Sequence, residues 1–231
     1  NTVYLPKKVL NAKSLVTVVR ALDIKGCSVT MPYKSQVIPL LDEIDEVAER
    51  TMSVNTIVNE SGRLVGRNTD HYGALIVLKG LQSKSVLVYG AGSVVNSIVL
   101  ALQDLGCPDI ALHARRSKAA QAIAERHCIE ALNHQEVRAR CFELLINATP
   151  TSNLEKNEVF AVLDRAGSLF DLMVAPSETK LCNAAQNRGM KVTAGIEMSK
   201  WQLQKQFYHY TGLLPDMEQI EKIIDCVYKQ T

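Results

Sequence analysis

Residues 85–95 read SVLVYGAGSVV, the pattern of a short β-strand, a tight glycine turn and the start of a helix. Gly90 permits the sharp turn, and Gly92 lets backbone N–H groups approach a pyrophosphate at the start of the helix. The third position of this dinucleotide-binding pattern holds Val95, where glycine or alanine is usual. The segment predicts a nucleotide-binding βαβ unit, and a purely structural turn is the alternative. Four residues are expected at the cofactor phosphates: Gly90, Ala91, Gly92 and Ser93.

Strands and helices alternate on the carboxyl side of this segment. Short strands that alternate with helices of about ten residues are typical of a parallel sheet. Residues 83–195 are therefore predicted to form a Rossmann-type, doubly wound parallel-sheet lobe of an α/β protein. The predicted strands are 85–89, 109–114, 143–147, 169–174 and 191–193, and the predicted helices are 95–105, 118–126, 158–164 and 179–187.

Residues 1–82 are predicted to form a smaller α/β lobe, and residues 196–231 are predicted to form helices that return toward it. A last helix is expected to begin after Asp216, a candidate cap. Its apolar face would consist of Ile220, Ile223, Ile224, Val227 and Tyr228. In the first lobe the predicted strands are 2–5 and 27–31, the helices are 14–22, 34–41 and one from about His71, and a hairpin joins 53–58 to 63–65.

The end of the second strand of the 83–195 lobe indicates which dinucleotide binds. Sites for NAD usually carry an acidic residue there, which binds the ribose 2′-hydroxyl. Residues 112–118 instead read LHARRSK, with three cations and no acid. Arg115 and Arg116 match a 2′-phosphate in charge and in geometry, although an ordinary solvated basic corner would have the same sequence. We therefore expect NADP rather than NAD.

Composition argues against several classes of protein. The 231 residues carry a net charge of only +2 and no long block of like charge, so no nucleic-acid or membrane-surface partner is expected. No apolar run approaches the roughly 20 residues of a membrane-spanning helix. The six cysteines form no Cys-x-x-Cys pair, and the five histidines have no metal-ligand spacing. We expect a cytoplasmic protein with reduced, mostly buried thiols and no metal, and a homodimer is a candidate assembly.

Polar residues end the short apolar strands of the first lobe. Lys34 follows the second strand, Asn55 lies in the hairpin, and Asn68 and Asp70 follow it. Such groups beside a cofactor lobe suit a small polyhydroxylated substrate, so the chain is predicted to be an oxidoreductase. Simpler roles remain open: a surface lysine at a helix start, two turn asparagines, and a helix cap at Asp70.

Seven segments, in family order, resemble the shikimate/quinate dehydrogenase family. They read SVTMPYK (28–34), NT (55–56), GRNTD (66–70), GAG (90–92), INATP (146–150), PSET (176–179) and GIEM (195–198) with Gln202. The resemblance implies a two-lobe enzyme with its active site in the cleft. The reaction that it implies is the NADP-dependent interconversion of shikimate and 3-dehydroshikimate.

The resemblance also implies roles for single residues. Lys34 and Asp70 would be the acid–base pair, which agrees with the chemistry, because hydride delivery to a ketone leaves an alkoxide that needs a nearby proton donor. The implied substrate contacts are Thr30, Asn55 and Gln202. The implied cofactor contacts, besides the glycine turn and the two arginines, are Asn147, Thr149, Gly195 and Met198.

Three departures from the family pattern concern the substrate more than the cofactor. Family members usually open with a strand and a loop whose paired serines hold the substrate carboxylate, and this sequence starts after that point. Val174 stands where tyrosine is usual, and His71 where glycine is usual. We therefore expect these 231 residues to bind NADP normally and to oxidise shikimate poorly. The alternatives are oxidation of quinate or another cyclic polyol acid, and metabolite sensing without catalysis; the presence of both Lys34 and Asp70 argues against sensing.

Overall fold

A computed structural model describes residues 3–150, 159–174 and 179–228. Its strands are β1 (Gly26–Ser28), β2 (Glu43–Ile44), β3 (Thr56–Glu60), β4 (Arg63–Arg67), β5 (Ser85–Tyr89), β6 (Asp109–His113), β7 (Glu130–Ala131), β8 (Phe142–Asn147), β9 (Ala166–Asp171) and β10 (Lys191–Ala194). Its α-helices are α1 (Ala12–Ala21), α2 (Glu46–Thr51), α3 (Thr69–Leu81), α4 (Ser93–Asp104), α5 (Ser117–His127), α6 (His134–Ala139), α7 (Phe160–Leu163), α8 (Lys180–Gln186), α9 (Gly195–Thr211) and α10 (Met217–Tyr228). A short 3-10 helix, Ile38–Leu40, lies between β1 and β2.

Strands β1 to β4 form a small mixed sheet in the order β1-β3-β4-β2. β3 pairs antiparallel with β1 and with β4, and β2 pairs parallel with β4. The β3–β4 hairpin turns on Ser61 and Gly62, whose φ angles are 56° and 95°. Positive φ at both central residues is the geometry of a two-residue turn that matches the twist of the strands. The predicted hairpin is confirmed, and both of its strands end two residues later than expected.

Strands β5 to β10 form a parallel sheet in the order β10-β9-β8-β5-β6-β7. The strand order reverses at β5, so β5 is the switch point beyond whose carboxyl end ligands bind in doubly wound sheets. β5 and β8 are largely apolar and buried, as central strands of a parallel sheet are. The predicted Rossmann-type architecture is confirmed.

Helices α3 and α9 join the two sheets. α3 runs from the end of β4 toward the start of β5, and α9 begins directly where β10 ends. The helices cross closely at Gly73, where a Cβ would lie 2.6 Å from the Met198 carbonyl oxygen. Ala74 and Leu78 of α3 and Met198 of α9 belong to one core with the large sheet. The C-terminal helices thus return toward the first lobe, while the exact lobe boundaries stay a prediction.

Three expectations about the first lobe and the thiols are wrong. Residues 3–5 form no strand, and their side chains are 66–78% exposed, without a core to pack on. Residues 34–41 form turns and the short 3-10 helix rather than an α-helix, and Pro39 has no N–H group to donate to an α-helical hydrogen bond. All six cysteines are free thiols, but only Cys182 is buried.

The last helix begins as predicted. Asp216 Oδ1 accepts the Gln219 N–H at 2.8 Å, which caps the start of α10. Ile220 is buried, whereas Ile223 is 58% exposed, so the predicted apolar face is covered only in part; the side chains of residues 227 and 228 lie outside the described ones. Neither α10 nor any other helix in the described ranges is long and apolar enough to cross a membrane.

Candidate active site

Lys34 and Asp70 form a buried ion pair between the turn after β1 and the start of α3. Lys34 Nζ lies 2.5 Å from Asp70 Oδ2, and the two side chains are 14% and 4% exposed. The Lys34 carbonyl oxygen accepts the Val54 N–H at 2.8 Å, which fixes the lysine backbone just before β3. The structure therefore brings together the two residues that were predicted to act as an acid–base pair.

Asp70 also accepts hydrogen bonds from two predicted substrate contacts. Asn55 Nδ2 and Gln202 Nε2 donate to Asp70 Oδ1 at 2.7 and 2.9 Å. With Lys34 on the other oxygen, the carboxylate has three donors, and hydrogen bonds to a charged acceptor are stronger than neutral ones. A buried ion pair is retained only with such additional partners. The site is thus assembled from the turn after β1, the residue before β3, α3 and α9.

The cap of α3 is Asn68 rather than Asp70. Asn68 Oδ1 accepts the backbone N–H groups of Asp70 and His71 at 2.9 and 3.3 Å. The helix therefore begins at Thr69 rather than near His71. The alternative that Asp70 merely caps this helix is wrong, because the preceding asparagine has that role. The carboxylate remains available to Lys34, in a first turn where the helix dipole favours negative charge.

Asn68 also connects the two lobes. Its Nδ2, which has two protons to donate, lies 2.9 Å from Thr51 Oγ1, 2.8 Å from the Ser53 carbonyl oxygen and 3.1 Å from Ser97 Oγ. Ser97 lies on α4, the helix that follows the glycine turn. One side chain thus caps the helix that carries Asp70 and contacts the helix that begins at the predicted phosphate site.

Thr30 and Val174 lie outside this group of hydrogen bonds. Thr30 is exposed, and its carbonyl oxygen accepts the Tyr33 N–H at 3.0 Å. Within the described ranges its side chain makes no hydrogen bond to Lys34 or Asp70. Val174 is half-buried after the end of β9 and has no side-chain donor. Most of the PSET segment, residues 176–178, lies outside the described residues.

The turn after β5 has the geometry that a dinucleotide phosphate needs. Gly90 has a φ of 137°, and a Cβ there would lie 2.8 Å from the Ala148 carbonyl oxygen, so the position requires glycine. Gly92 precedes α4, whose first N–H groups have no side-chain cap. A Cβ at Gly92 would meet no atom within 4 Å, so open space adjoins this helix start. The half-buried Ala91 and Ser93 complete a turn that fits a phosphate group.

Arg115 and Arg116 are exposed just after the end of β6, next to this turn. Arg116 Nη2 donates to the Ala91 carbonyl oxygen at 3.2 Å, which places its guanidinium against the glycine turn. In the described part of the chain, neither arginine is paired with a carboxylate. The end of β6 therefore presents two positive charges where NAD sites hold an acid.

Asn147 organises the segment after β8. Its Nδ2 donates to Asp171 Oδ1 at 2.9 Å, and its Oδ1 accepts the N–H and the hydroxyl of Thr149 at 3.2 and 2.7 Å. The Ala148 N–H donates to the Tyr89 carbonyl oxygen at 2.8 Å, so this segment lies against the end of β5. Asn147 is fully buried, and its hydrogen bonds hold the half-buried Thr149 beside the glycine turn.

Gly195 and Met198 hold the start of α9 against the ends of the strands. A Cβ at Gly195 would lie 2.4 Å from the Leu172 carbonyl oxygen, so only glycine lets the helix begin this close to the end of β9. Met198 is buried in the core of the large sheet. The two residues therefore fix the start of α9 against the ends of the strands, and their contact with a cofactor stays a prediction.

The sequence did not single out several polar residues that support the Asp70 group. Gln206 and Tyr210 follow Gln202 at intervals of four, which places all three on one face of a helix. That spacing is the signal that could have identified them. The missed residues are Ser28, Thr56, Thr69, Gln206 and Tyr210.

The fold and this site define a two-lobe α/β protein of the dinucleotide-binding class. The sequence profile of the "Shikimate dehydrogenase substrate binding domain" matches residues 1–57. The shikimate dehydrogenase (NADP(+)) of Geobacillus sp. (strain WCH70) is 35% identical over 227 residues, covering 92% of this chain and 82% of that protein. The chain belongs to the shikimate dehydrogenase family.

Two solved structures are similar to this chain over more than nine tenths of its length. Shikimate 5-dehydrogenase from Thermus thermophilus, in complex with NADP(H) and shikimate, has a TM-score of 0.79 and 28% identity, covering 95% of this chain and 85% of that one. Quinate dehydrogenase from Corynebacterium glutamicum, in complex with NAD, has a TM-score of 0.81 and 27% identity, covering 91% of this chain and 80% of that one.

Proposed function

We propose that this protein is an NADP-dependent dehydrogenase that reversibly oxidises shikimate to 3-dehydroshikimate. One observation carries the proposal: a buried Lys34–Asp70 pair at 2.5 Å whose carboxylate also holds two amide donors. A lysine held this firmly is suited to move a proton at a fixed point in a cleft. The family membership and the name of the Geobacillus relative support both the substrate and the cofactor.

In this proposal Lys34 and Asp70 transfer the proton. In oxidation, the substrate hydroxyl gives its proton to the Lys34–Asp70 pair as hydride leaves the same carbon. In reduction, Lys34 returns the proton to the developing alkoxide, and Asp70 keeps Nζ in position. The dinucleotide, when bound, supplies the hydride acceptor or donor. In this proposal Asn55 and Gln202, which donate to the same carboxylate, orient substrate hydroxyl groups.

The cofactor part of the proposal is supported by the ends of β5 and β6. The uncapped start of α4 offers N–H groups to a pyrophosphate. Arg115 and Arg116 offer charge to a 2′-phosphate, and no acidic residue stands there to select NAD. We assign residues 83–195 to cofactor binding, residues 1–82 to the substrate, and residues 196–231 to helices that return to the first lobe.

Quinate oxidation is a second candidate, favoured by one observation. Val174 is half-buried and offers no hydrogen-bond donor where a tyrosine is usual in the family. The structural similarity to a quinate dehydrogenase agrees with a substrate site that differs in detail. For the same reason we expect the kcat/KM of this chain for shikimate to be low.

The proposal extends to assembly and location. Six free thiols suit a reducing compartment, so we assign the protein to the cytoplasm. We include a homodimer in the proposal, and size-exclusion chromatography with light scattering tests it.

Steady-state oxidation of shikimate and of quinate, each with NADP and with NAD, tests the function. Absorbance of the reduced cofactor gives the rate. We expect the highest kcat/KM for shikimate with NADP. A higher kcat/KM for quinate would favour the second candidate. Normal NADP binding without turnover of either substrate would contradict the enzymatic proposal and favour a metabolite sensor.

A further inference from the structure

Beyond Gln202, two more residues on the same face of α9 contact the first lobe. Gln206 Nε2 donates to Thr56 Oγ1 in β3 at 3.2 Å. The Tyr210 hydroxyl lies 2.9 Å from Ser28 Oγ in β1. Because these residues are four positions apart, they form one row along the helix. α9 is therefore attached to the small sheet just beyond the point where it reaches Asp70.

The direction of the hydrogen bonds in this region follows from one backbone donor. The Thr69 N–H can only donate and lies 2.9 Å from Asn55 Oδ1, so this atom is the amide oxygen and Nδ2 faces Asp70. The Thr56 hydroxyl, 2.8 Å from the same oxygen, must give its only proton to it. Thr56 can then only accept from Gln206, which fixes Gln206 Nε2 on the Thr56 side.

The same reasoning extends to Tyr210. Gln206 Oε1 faces Ser28 at 3.1 Å and accepts the hydroxyl proton of Ser28. Ser28 has no second proton, so Tyr210 must donate in the contact between the two hydroxyl groups. Burial raises the pKa of Tyr210 well above its ordinary value, so the phenol keeps the proton that this arrangement needs. The hydrogen bonds run in one direction, from Tyr210 through Ser28, Gln206, Thr56 and Asn55 to Asp70.

The ring of Tyr210 is held as closely as its hydroxyl. A Cβ at Gly26 would lie 2.5 Å from Tyr210 Cδ1, so only glycine lets the ring lie against β1 here. Because both the ring and the hydroxyl of Tyr210 contact β1, this part of α9 is fixed relative to the small sheet. Gln202, about two turns earlier on the same rigid helix, is thereby held in place as well.

We propose that Tyr210 is a positioning residue, which holds Asn55 on the Asp70 carboxylate through Gln206 and Thr56, and holds Gln202 there through the helix that the two residues share. The proposal rests on the proposed function, because it assigns Asp70 to the acid–base pair. Hydrogen bonds aligned in one direction strengthen one another, so loss of the first donor is felt along the series. Tyr210 itself touches neither Lys34 nor Asp70 and acts only through the residues between.

The substitution Tyr210→Phe tests this role, because it removes the hydroxyl and keeps the ring. Tyr208→Phe is the matched control, since Tyr208 is on the same helix and 42% exposed. We expect Tyr210→Phe to lower kcat for shikimate about three- to tenfold, with the KM for NADP and the thermal midpoint nearly unchanged. Adding Tyr210→Phe to Gln206→Met should cause little further loss, because the tyrosine acts through the glutamine.

Side-chain amide signals in 15N-labelled protein give a readout that needs no catalysis. We expect the Gln202 Nε2 and Asn55 Nδ2 signals to shift, and their protons to exchange faster with solvent, in Tyr210→Phe but not in Tyr208→Phe. If the unmodified protein fails to oxidise shikimate, the proposed function fails and these signals still decide the role of Tyr210. Unchanged amide signals in Tyr210→Phe overturn the positioning role, whatever the activity.

Discussion

Replacing Lys34 by alanine affects chemistry and stability through the same 2.5 Å contact. The change removes the ammonium and leaves the Asp70 carboxylate, 4% exposed, with only its amide donors. Breaking a buried ion pair from one side strands a charge, so we expect the free energy of unfolding to fall by about 2–4 kcal/mol. We expect kcat for shikimate to fall roughly 10²–10⁴-fold, because the proposed proton donor is gone. NADP affinity should be nearly unchanged, since Lys34 is not among the residues of the glycine turn.

A second substitution separates the two losses. Asp70→Asn in the Lys34→Ala background removes the stranded charge, so we expect it to restore most of the lost stability. It should not restore activity, and kcat should stay within about threefold of that of Lys34→Ala, because residues that act as a unit lose their function together. Lys79→Ala, at an exposed position near the end of α3, is the control and should change neither quantity.

Three measurements decide between these expectations. Absorbance of the reduced cofactor gives kcat, denaturant titration gives the free energy of unfolding, and calorimetric titration gives the NADP affinity. If Lys34→Ala retains kcat within about tenfold, Lys34 is not the proton donor. If the stability losses of Lys34→Ala and Asp70→Asn simply add in the double variant, the two side chains do not interact as their distance requires.

Two further predictions concern cofactor choice and pH. NADP should bind at least about tenfold tighter than NAD. Arg115→Ala should remove most of this preference, whereas Arg138→Ala, at an exposed position on α6, should leave it unchanged. Equal affinities of the unmodified protein for NADP and NAD would refute the cofactor assignment. Burial, together with the charges of Arg67 and Lys205, lowers the pKa of His209 from 6.5 to about 4. The unfolded chain therefore binds this proton at a higher pH than the folded one, and stability falls as the pH drops from 6.5 toward 4. When the pH falls from 7 to 4.5, the free energy of unfolding of His209→Gln should decrease by about 1–2 kcal/mol less than that of the unmodified protein. Equal decreases for the two proteins in denaturant titrations would contradict the lowered pKa of His209.

The large sheet could be predicted from sequence because each of its longer strands is a short apolar run between turn residues. β5, for example, is found at the predicted residues. Val95, the unusual residue of the glycine pattern, is fully buried in the core that α4 shares with the sheet, so the departure does not disturb the turn. β7 and α6 escaped prediction because two and six residues are too few for a hydrophobic period.

Departures from the family pattern acquire a physical meaning only in three dimensions. His71, where glycine is usual, is buried between α3 and α4, and its Nε2 lies 2.8 Å from Asp104 Oδ2. A side chain at this position thus adds a polar contact between the two lobes beside the Lys34–Asp70 ion pair. The sequence indicated the departure but could not show Asp104 as its partner, 33 positions away.

The asparagines of the first lobe show why the site itself could not be derived from sequence. A turn role was open for both Asn55, the predicted substrate contact, and Asn68. In the structure Asn55 donates its amide N–H to Asp70, whereas the Asn68 side-chain oxygen accepts backbone N–H groups of α3. That difference makes one residue a partner of the carboxylate and the other the cap that leaves the carboxylate free. The three donors to the Asp70 carboxylate, which are Lys34, Asn55 and Gln202, lie 36, 15 and 132 positions from it in the sequence. A motif can identify Lys34 and Asp70 as a candidate pair. Only the packing of α9 against the small sheet brings Gln202 to the carboxylate and so determines how Asp70 is held beside the proposed proton donor.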